Sequence, residues 1–103
     1  MEETLALATQ PVDTERIIEI CQRNGVSMVG LFGSQARGTA GAHSDIDLLV
    51  RFAKATSLLA AIALEQELES TLGRSVDLLT EASLHPQLRT NILNDLRVLY
   101  EAA

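Results

Sequence analysis

Apolar positions recur at helical spacing in three stretches of the chain. The first helix is predicted to begin at a capping residue, Asp13 or Thr14, and to end at Gly25. The second lies within 55–73, and the third begins near Pro86. The predicted inward-facing positions are Ile17, Ile18 and Cys21 in the first helix, Leu58, Ala61, Ile62, Glu65, Leu68 and Leu72 in the second, and Leu88, Ile92 and Leu93 in the third.

Short apolar runs between the helices predict β-strands. Three strands are expected, over 27–32, 45–52 and 74–80, and an edge strand is expected after the Asn94–Asp95 break. A single helical turn over 34–37 leads into a glycine-containing loop between the first two strands. This order predicts an α/β (α+β) fold, in which a small mixed sheet is covered by helices. The helix that follows the second strand is long enough for a right-handed crossover.

The composition is that of one small folded domain. The chain has 103 residues, of which 47% are hydrophobic and only 3% aromatic. This length suits a single hydrophobic core, which must be built mainly from Leu, Ile, Val and Ala. We expect a loose lead-in over 1–12 and the domain itself over 13–103.

The net charge limits the classes of partner. The chain carries −6 at neutral pH and has eight Lys and Arg residues. Because nucleic-acid affinity depends largely on basic residues that neutralise phosphates, direct binding of DNA or RNA is disfavoured. A single nucleotide accompanied by Mg²⁺ remains compatible with this charge, as does a basic protein surface.

Features that bear on the compartment favour the cytoplasm. Cys21 is the single cysteine, so an intrachain disulfide is impossible and a reducing environment is expected. The first ten residues lack the basic region of a signal peptide. The longest apolar run, 58–64, is far too short to span a bilayer, so no membrane association is expected.

Acidic residues interrupt two otherwise apolar strands. Asp45 and Asp47 are separated by one residue, and side chains alternate along a strand, so both point to one face. Mg²⁺ prefers oxygen ligands from one or two carboxylates together with waters and phosphates. Asp77 occupies a similar apolar context, and three converging carboxylates could hold two metals roughly 4 Å apart for phosphoryl or nucleotidyl transfer. The alternative is a solvated face or protection of a strand edge.

A glycine-serine turn follows the first strand directly. Backbone N–H groups at Gly33 and Ser34 could bind a phosphate, because glycine lets the main chain approach an anion closely. Arg37 lies on the same side of the turn and could clamp phosphate oxygens. The alternative is an ordinary turn with a helix-capping serine and a surface cation.

The stretch "FGSQARGTAGAHSDIDLLV", with "VDLL" at 76–79, resembles the signature of the DNA polymerase β-like nucleotidyltransferases, and of their minimal nucleotidyltransferase (MNT) group in particular. The resemblance implies that Asp45 and Asp47 bind Mg²⁺, with two ions expected. It implies that Asp77 is the third carboxylate, which helps to hold one metal and accepts the proton of the attacking hydroxyl. Gly33 and Ser34 would hold the triphosphate of ATP, and Arg37 would steady it.

The same resemblance implies a partner. Stand-alone MNT proteins are typically encoded beside a HEPN-domain ribonuclease toxin and act as its antitoxin, in some cases by adding AMP to a toxin tyrosine. An Mg²⁺-dependent transferase of AMP onto a partner hydroxyl is therefore the first expectation. The alternatives are an antitoxin that neutralises its partner by binding alone, and a transferase acting on a small molecule.

Overall fold

The protein is described from a computed structural model, which covers residues 12–33, 36 and 45–102. The helices are α1 (Thr14–Arg23), α2 (Leu58–Leu72) and α3 (Pro86–Asp95), with a 3₁₀ turn at Glu81–Ser83. The strands are β1 (Val26–Phe32), β2 (Ile46–Phe52), β3 (Val76–Thr80) and β4 (Arg97–Glu101). The predicted lead-in up to residue 11, the loop after residue 37 and most of the turn over 34–37 lie outside the described residues; Ala36, within that turn, has a helical backbone.

The strands form a mixed sheet in the order β3-β2-β1-β4. β1 pairs antiparallel with both β2 and β4, whereas β2 pairs parallel with β3. The parallel pair is joined by α2, as expected for a crossover connection. The predicted α/β class, the mixed sheet and the fourth strand at its edge are confirmed.

Helix ends follow the capping chemistry of the sequence. The Asp13 carboxylate accepts a hydrogen bond from the Arg16 backbone N–H at 3.1 Å, so Asp13, and not Thr14, caps α1. Ser57 caps α2 in the same way, and Gly73 ends that helix with a left-handed φ of 67°. His85 Nδ1 accepts from the Gln87 backbone N–H at the start of α3, so this surface histidine is a helix cap.

The core lies between one face of the sheet and helices α1 and α2. Cys21 is fully buried in it, as predicted, and Tyr100 packs against its edge. In α1 the structure buries Ile20 and leaves Ile18 only half-buried, which corrects the predicted inner face. The buried cluster comprises Ile17, Ile20, Cys21, Val26, Val29, Leu31, Ile46, Leu48, Val50, Leu64, Leu68 and Val76.

The predicted inner face of α2 is wrong in its first half. Leu58 is 76% exposed and Ile62 is 40% exposed, whereas Leu64 and Leu68 are fully buried. The reason is that α2 reaches β3 and α1 beyond its first turn, where Glu65 accepts a hydrogen bond from the β3 backbone and Glu67 pairs with Arg23 of α1. The first turn of α2 therefore lies beyond these contacts.

Helix α3 also exposes more apolar surface than its spacing predicts. Leu88 is 54% exposed and Leu93 is 40% exposed, so neither faces inward. The sheet contact is made where the helix ends: a Cβ added to Gly30 would lie 3.0 Å from Leu96 Cγ. Ile92, the third predicted inward-facing position, is half-buried, and Leu96 packs closely against the sheet at this glycine.

Within the described part of the chain, no helix has the length and apolar character required to cross a membrane.

Candidate active site

Asp47 and Asp77 lie directly opposite each other on parallel neighbouring strands. Their Cα atoms are partners in the β2–β3 register, and the flanking pairs are Ile46 with Val76 and Leu48 with Leu78. Neighbouring strands are separated by about 4.8 Å, so the two carboxylates are held on rigid supports at close range. The sequence analysis makes the convergence of these carboxylates conditional on such a pairing, and the structure supplies the pairing for Asp47 and Asp77.

The acidic side chains occupy the sheet face that is turned away from the core. Ile46 and Val76 are buried against the helices, and alternation along the strands turns Asp47 and Asp77 to the other side. Asp47 is half-buried and Asp77 is exposed. Asp45 is exposed and lies one residue before β2. The structure therefore brings Asp47 and Asp77 together on one face, and Asp45 lies next to the start of that strand pair.

Gly33 lies against Asp47 from the opposite side. Phe32 pairs with Asp47 in the antiparallel β1–β2 register, and Gly33 follows Phe32 with a φ of 72°. A Cβ on Gly33 would collide with the Asp47 carboxylate, whose Cγ would be only 3.2 Å away. The backbone of the turn thus approaches the carboxylate as closely as glycine permits, and Asp47 lies between Gly33 and Asp77.

The described carboxylates form a pair and not a complete set of metal ligands. Among residues 12–33, 36 and 45–102, no three His, Cys, Asp or Glu side chains are gathered closely enough to hold a metal ion by themselves. Mg²⁺ is usually bound through one or two carboxylates, and waters and substrate phosphates complete its coordination. The paired register of Asp47 and Asp77 fits that mode of binding.

Two of the predicted nucleotide-binding residues, Ser34 and Arg37, lie outside the described residues. Gly33 is the one member of the predicted phosphate-binding turn for which the geometry is known.

A cavity of about 740 Å³ lies elsewhere, at the far ends of β2 and β3. Arg51, Lys54 and Arg89 line it, whereas none of the three aspartates does. Arg51 is already paired with Glu101 at 2.7 Å. This cavity therefore offers no carboxylates of the candidate site, and we place the candidate active site at the aspartates.

The family model described as a nucleotidyltransferase domain matches residues 14–99. This match covers most of the chain, including every described residue of the candidate site. The chain belongs to the nucleotidyltransferase domain family. The resemblance seen in the motif from Phe32 to Val50 is thereby confirmed, as is the assignment of the protein as an enzyme of this class.

Relatives and solved structures agree with this family. A protein adenylyltransferase, MntA, from Thermococcus cleftensis is 43% identical over 77 residues, which cover 75% of this chain and 78% of the relative. A chain from a crystal structure of a toxin-antitoxin with AMP-PNP superposes with a TM-score of 0.80 at 29% identity, covering 88% of this chain and 75% of that one. A chain from the complex of a tri-AMPylated HEPN toxin with an MNT antitoxin from Shewanella oneidensis has a TM-score of 0.71 at 26% identity, covering 86% and 70%.

Two glutamates of α2 contact β3 beside Asp77, and no sequence-based expectation places them there. The sequence predicts Glu65 only as an inward-facing position of its helix and assigns no role to Glu69. In the structure, Glu65 and Glu69 accept hydrogen bonds from the backbone of β3 on either side of Asp77. The signal that could have revealed them is their spacing of four residues on the helix that leads directly into the acidic strand.

Proposed function

We propose that this protein is an Mg²⁺-dependent adenylyltransferase that moves AMP from ATP to a tyrosine hydroxyl of a HEPN ribonuclease toxin and thereby acts as its antitoxin. The observation that carries the proposal is the register of Asp47 opposite Asp77, with Gly33 packed against Asp47. Support also comes from the similarity to the MntA relative and to the structures that contain AMP-PNP or an AMPylated HEPN toxin. The buried, unbridged thiol of Cys21 suits a reducing compartment, and we place the reaction in the cytoplasm.

The residues of the site would have two roles in the transfer, metal binding and triphosphate binding. Asp45 and Asp47, with Asp77, would hold two Mg²⁺ ions. When bound, Mg²⁺ neutralises the triphosphate and stabilises charge that develops at the α-phosphate. The Gly33–Ser34 backbone would bind the triphosphate, and Arg37 would steady it.

The transfer is a single displacement at the α-phosphorus of ATP. The tyrosine oxygen attacks the α-phosphorus of ATP, and the new O–P bond forms as the bond to the β-phosphate oxygen breaks. Pyrophosphate leaves, and the hydroxyl proton passes to the Asp77 carboxylate. A carboxylate held on a strand suits this role because a general base must lie within hydrogen-bonding reach of the proton it accepts.

The test is transfer of labelled AMP from ATP to the purified partner toxin, with mass spectrometry to locate the modified residue. The double variant Asp45→Asn/Asp47→Asn should lose transfer and keep its fold, whereas Glu15→Gln/Glu19→Gln, which removes two charges from the exposed side of α1, should retain it. Transfer by the aspartate variant at the wild-type rate, or modification of the toxin only at residues other than tyrosine, would contradict the proposal.

A second candidate is an antitoxin that acts by binding alone. The observation that favours it is the exposed apolar surface at the start of α2, where Leu58 and Leu59 are 76% and 78% exposed. Exposed apolar patches often mark protein-binding surfaces. This candidate predicts that cells expressing Asp45→Asn/Asp47→Asn remain protected from the toxin, whereas adenylyl transfer predicts that protection is lost.

A further inference from the structure

Two carboxylates of α2 cover the open edge of β3. The Val76 backbone N–H donates to Glu69 Oε2, and the Leu78 N–H donates to Glu65 Oε2, each at 3.0 Å. β3 is at one end of the sheet order, so its outward N–H groups have no neighbouring strand there among the described residues. Unpaired edge groups are a liability that proteins usually cover. Glu65 and Glu69 therefore accept the hydrogen bonds that a further strand at this edge would accept.

The spacing of the two glutamates matches the spacing of the strand. Glu65 and Glu69 are four residues apart on α2, which corresponds to a rise of about 6.0 Å. Val76 and Leu78 are two residues apart on β3, which corresponds to an advance of about 6.6 Å. One helical turn thus aligns two carboxylates with two successive outward N–H groups. We call this pair of residues, Glu65 and Glu69, the glutamate clasp.

Asp77 lies between the two amide groups that the clasp holds. Its neighbours Val76 and Leu78 are fixed at the edge by α2, while β2 fixes the other side of the strand through the Asp47–Asp77 register. We propose that Glu65 and Glu69 are positioning residues for Asp77, which keep its carboxylate opposite Asp47 although it is carried by an edge strand. The proposed role rests on the proposed adenylyl transfer, whereas the strand-holding itself does not.

The clasp differs from the other acidic contact of α2. Glu65 and Glu69 are half-buried, and hydrogen bonds to an ionised acceptor are stronger than neutral ones. Glu67, on the same helix, instead accepts from Asn24 at 3.1 Å and pairs with Arg23 at 3.0 Å. It therefore provides a charge-matched control that does not touch β3.

Amide hydrogen exchange measured by NMR tests the clasp directly. In Glu65→Ala/Glu69→Ala, exchange at Val76 and Leu78 should accelerate roughly ten- to a hundredfold, because each N–H loses its charged acceptor. Leu48 in the central strand should change much less, and Glu67→Ala should leave Val76 and Leu78 unaffected. In Glu65→Gln/Glu69→Gln most of the protection should remain, because an amide oxygen still accepts the bond.

Two functional readouts test the positioning of Asp77. AMP transfer should fall in the alanine pair by roughly up to a hundredfold, the size of effect expected when a reacting group is slightly misplaced. The glutamine pair should restore most of it. With Mn²⁺ alone as a paramagnetic probe, the NMR signals of Asp47 and Asp77 should broaden in the wild-type protein. In the alanine pair the broadening should be weaker at Asp77 than at Asp47.

The outcomes separate the clasp from the function. Unchanged exchange at Val76 and Leu78 in the alanine pair would overturn the clasp. Equal loss of exchange protection in the glutamine and alanine pairs would show that the negative charge of Glu65 and Glu69, and not hydrogen bonding, holds the edge of β3. If wild-type protein transferred no AMP, the proposed function would fail, while the exchange and Mn²⁺ measurements would still decide whether the clasp positions Asp77.

Discussion

Gly33 and the Asp47 carboxylate are in such close contact that the main chain of the turn leaves no room for a side chain. The strand register brings this about, because Phe32 is the direct partner of Asp47 and Gly33 is the next residue. Glycine meets two requirements at this point: a φ of 72° and a missing Cβ. The candidate phosphate-binding turn and the candidate metal ligand are therefore built as one unit.

Gly33→Ala should abolish most AMP transfer and should also lower stability. The left-handed backbone would cost about 1 kcal/mol in the free energy of unfolding, and collision with the Asp47 carboxylate would add to that and displace the carboxylate. Urea unfolding and a transfer assay on the same preparation measure both effects.

Gly25→Ala provides the matched control. Gly25 has a φ of 77°, but nothing lies within 4 Å of a Cβ added there. It should therefore lose a similar amount of stability from backbone strain and keep its transfer activity. Equal activity in the two alanine variants would show that contact between Gly33 and Asp47 has no part in function.

Asp77→Asn should stabilise the protein in the absence of divalent cations. Asp47 and Asp77 are partners on adjacent strands, and like charges directly opposite each other are destabilising. Removal of one charge should raise the free energy of unfolding by roughly 0.5 kcal/mol in EDTA. Mg²⁺ should raise the melting temperature of the wild type more than that of the variant.

A thermal-unfolding titration with MgCl₂ and EDTA makes this comparison. Glu19→Gln, which removes one charge from the exposed side of α1, controls for the change in net charge. An equal Mg²⁺ response in wild type and Asp77→Asn would argue against Asp77 as a metal ligand.

Leu64→Ala should destabilise the protein far more than Leu59→Ala. Leu64 is fully buried and Leu59 is 78% exposed, although the two lie on the same helix. Truncation of a buried leucine costs about 2–5 kcal/mol, whereas an exposed leucine contributes little. Urea unfolding of the two variants would verify which face of α2 packs against the sheet, and similar losses would be incompatible with the structure.

The fold was predictable from the sequence because its main signals are local. Capping residues such as Asp13 and Ser57, and the glycine at residue 73, define the helix ends through hydrogen bonds made within a few residues. The apolar runs that contain Asp47 and Asp77 likewise predicted two of the strands. Asp47 and Asp77 lie directly opposite each other because of the strand register, which only the assembled sheet defines.

What the sequence could not supply depends on contacts between distant segments. Ile20 is buried in place of Ile18 because the position of α1 on the sheet, and not its periodicity alone, selects the inner face. Leu58 is exposed because α2 reaches its neighbours only beyond its first turn. Glu65 has the helical spacing of a core position although its side chain is charged. It can face inward because its carboxylate accepts a hydrogen bond from the β3 backbone.

Alkaline pH should weaken the protein through Cys21. Burial raises the pKa of this thiol from its ordinary value of about 9 to about 12, with a smaller contribution from the negative charge of Glu67. Above pH 9 the unfolded chain loses the thiol proton and the folded chain keeps it, so the unfolded state binds fewer protons and stability falls as pH rises. The contribution is complete below pH 9 and is lost progressively towards pH 12.

Cys21→Ala isolates this effect. The variant should be less stable at neutral pH because it leaves a small cavity, but its free energy of unfolding should decline less steeply between pH 9 and pH 11 than that of the wild type. The difference between the two slopes removes the contributions of lysine and tyrosine, which titrate in the same range. In the native protein the thiol should also resist alkylation at pH 8 and become reactive only in denaturant, because the thiolate is the nucleophile. Parallel slopes, together with rapid alkylation of the folded protein, would mean that Cys21 is accessible to solvent.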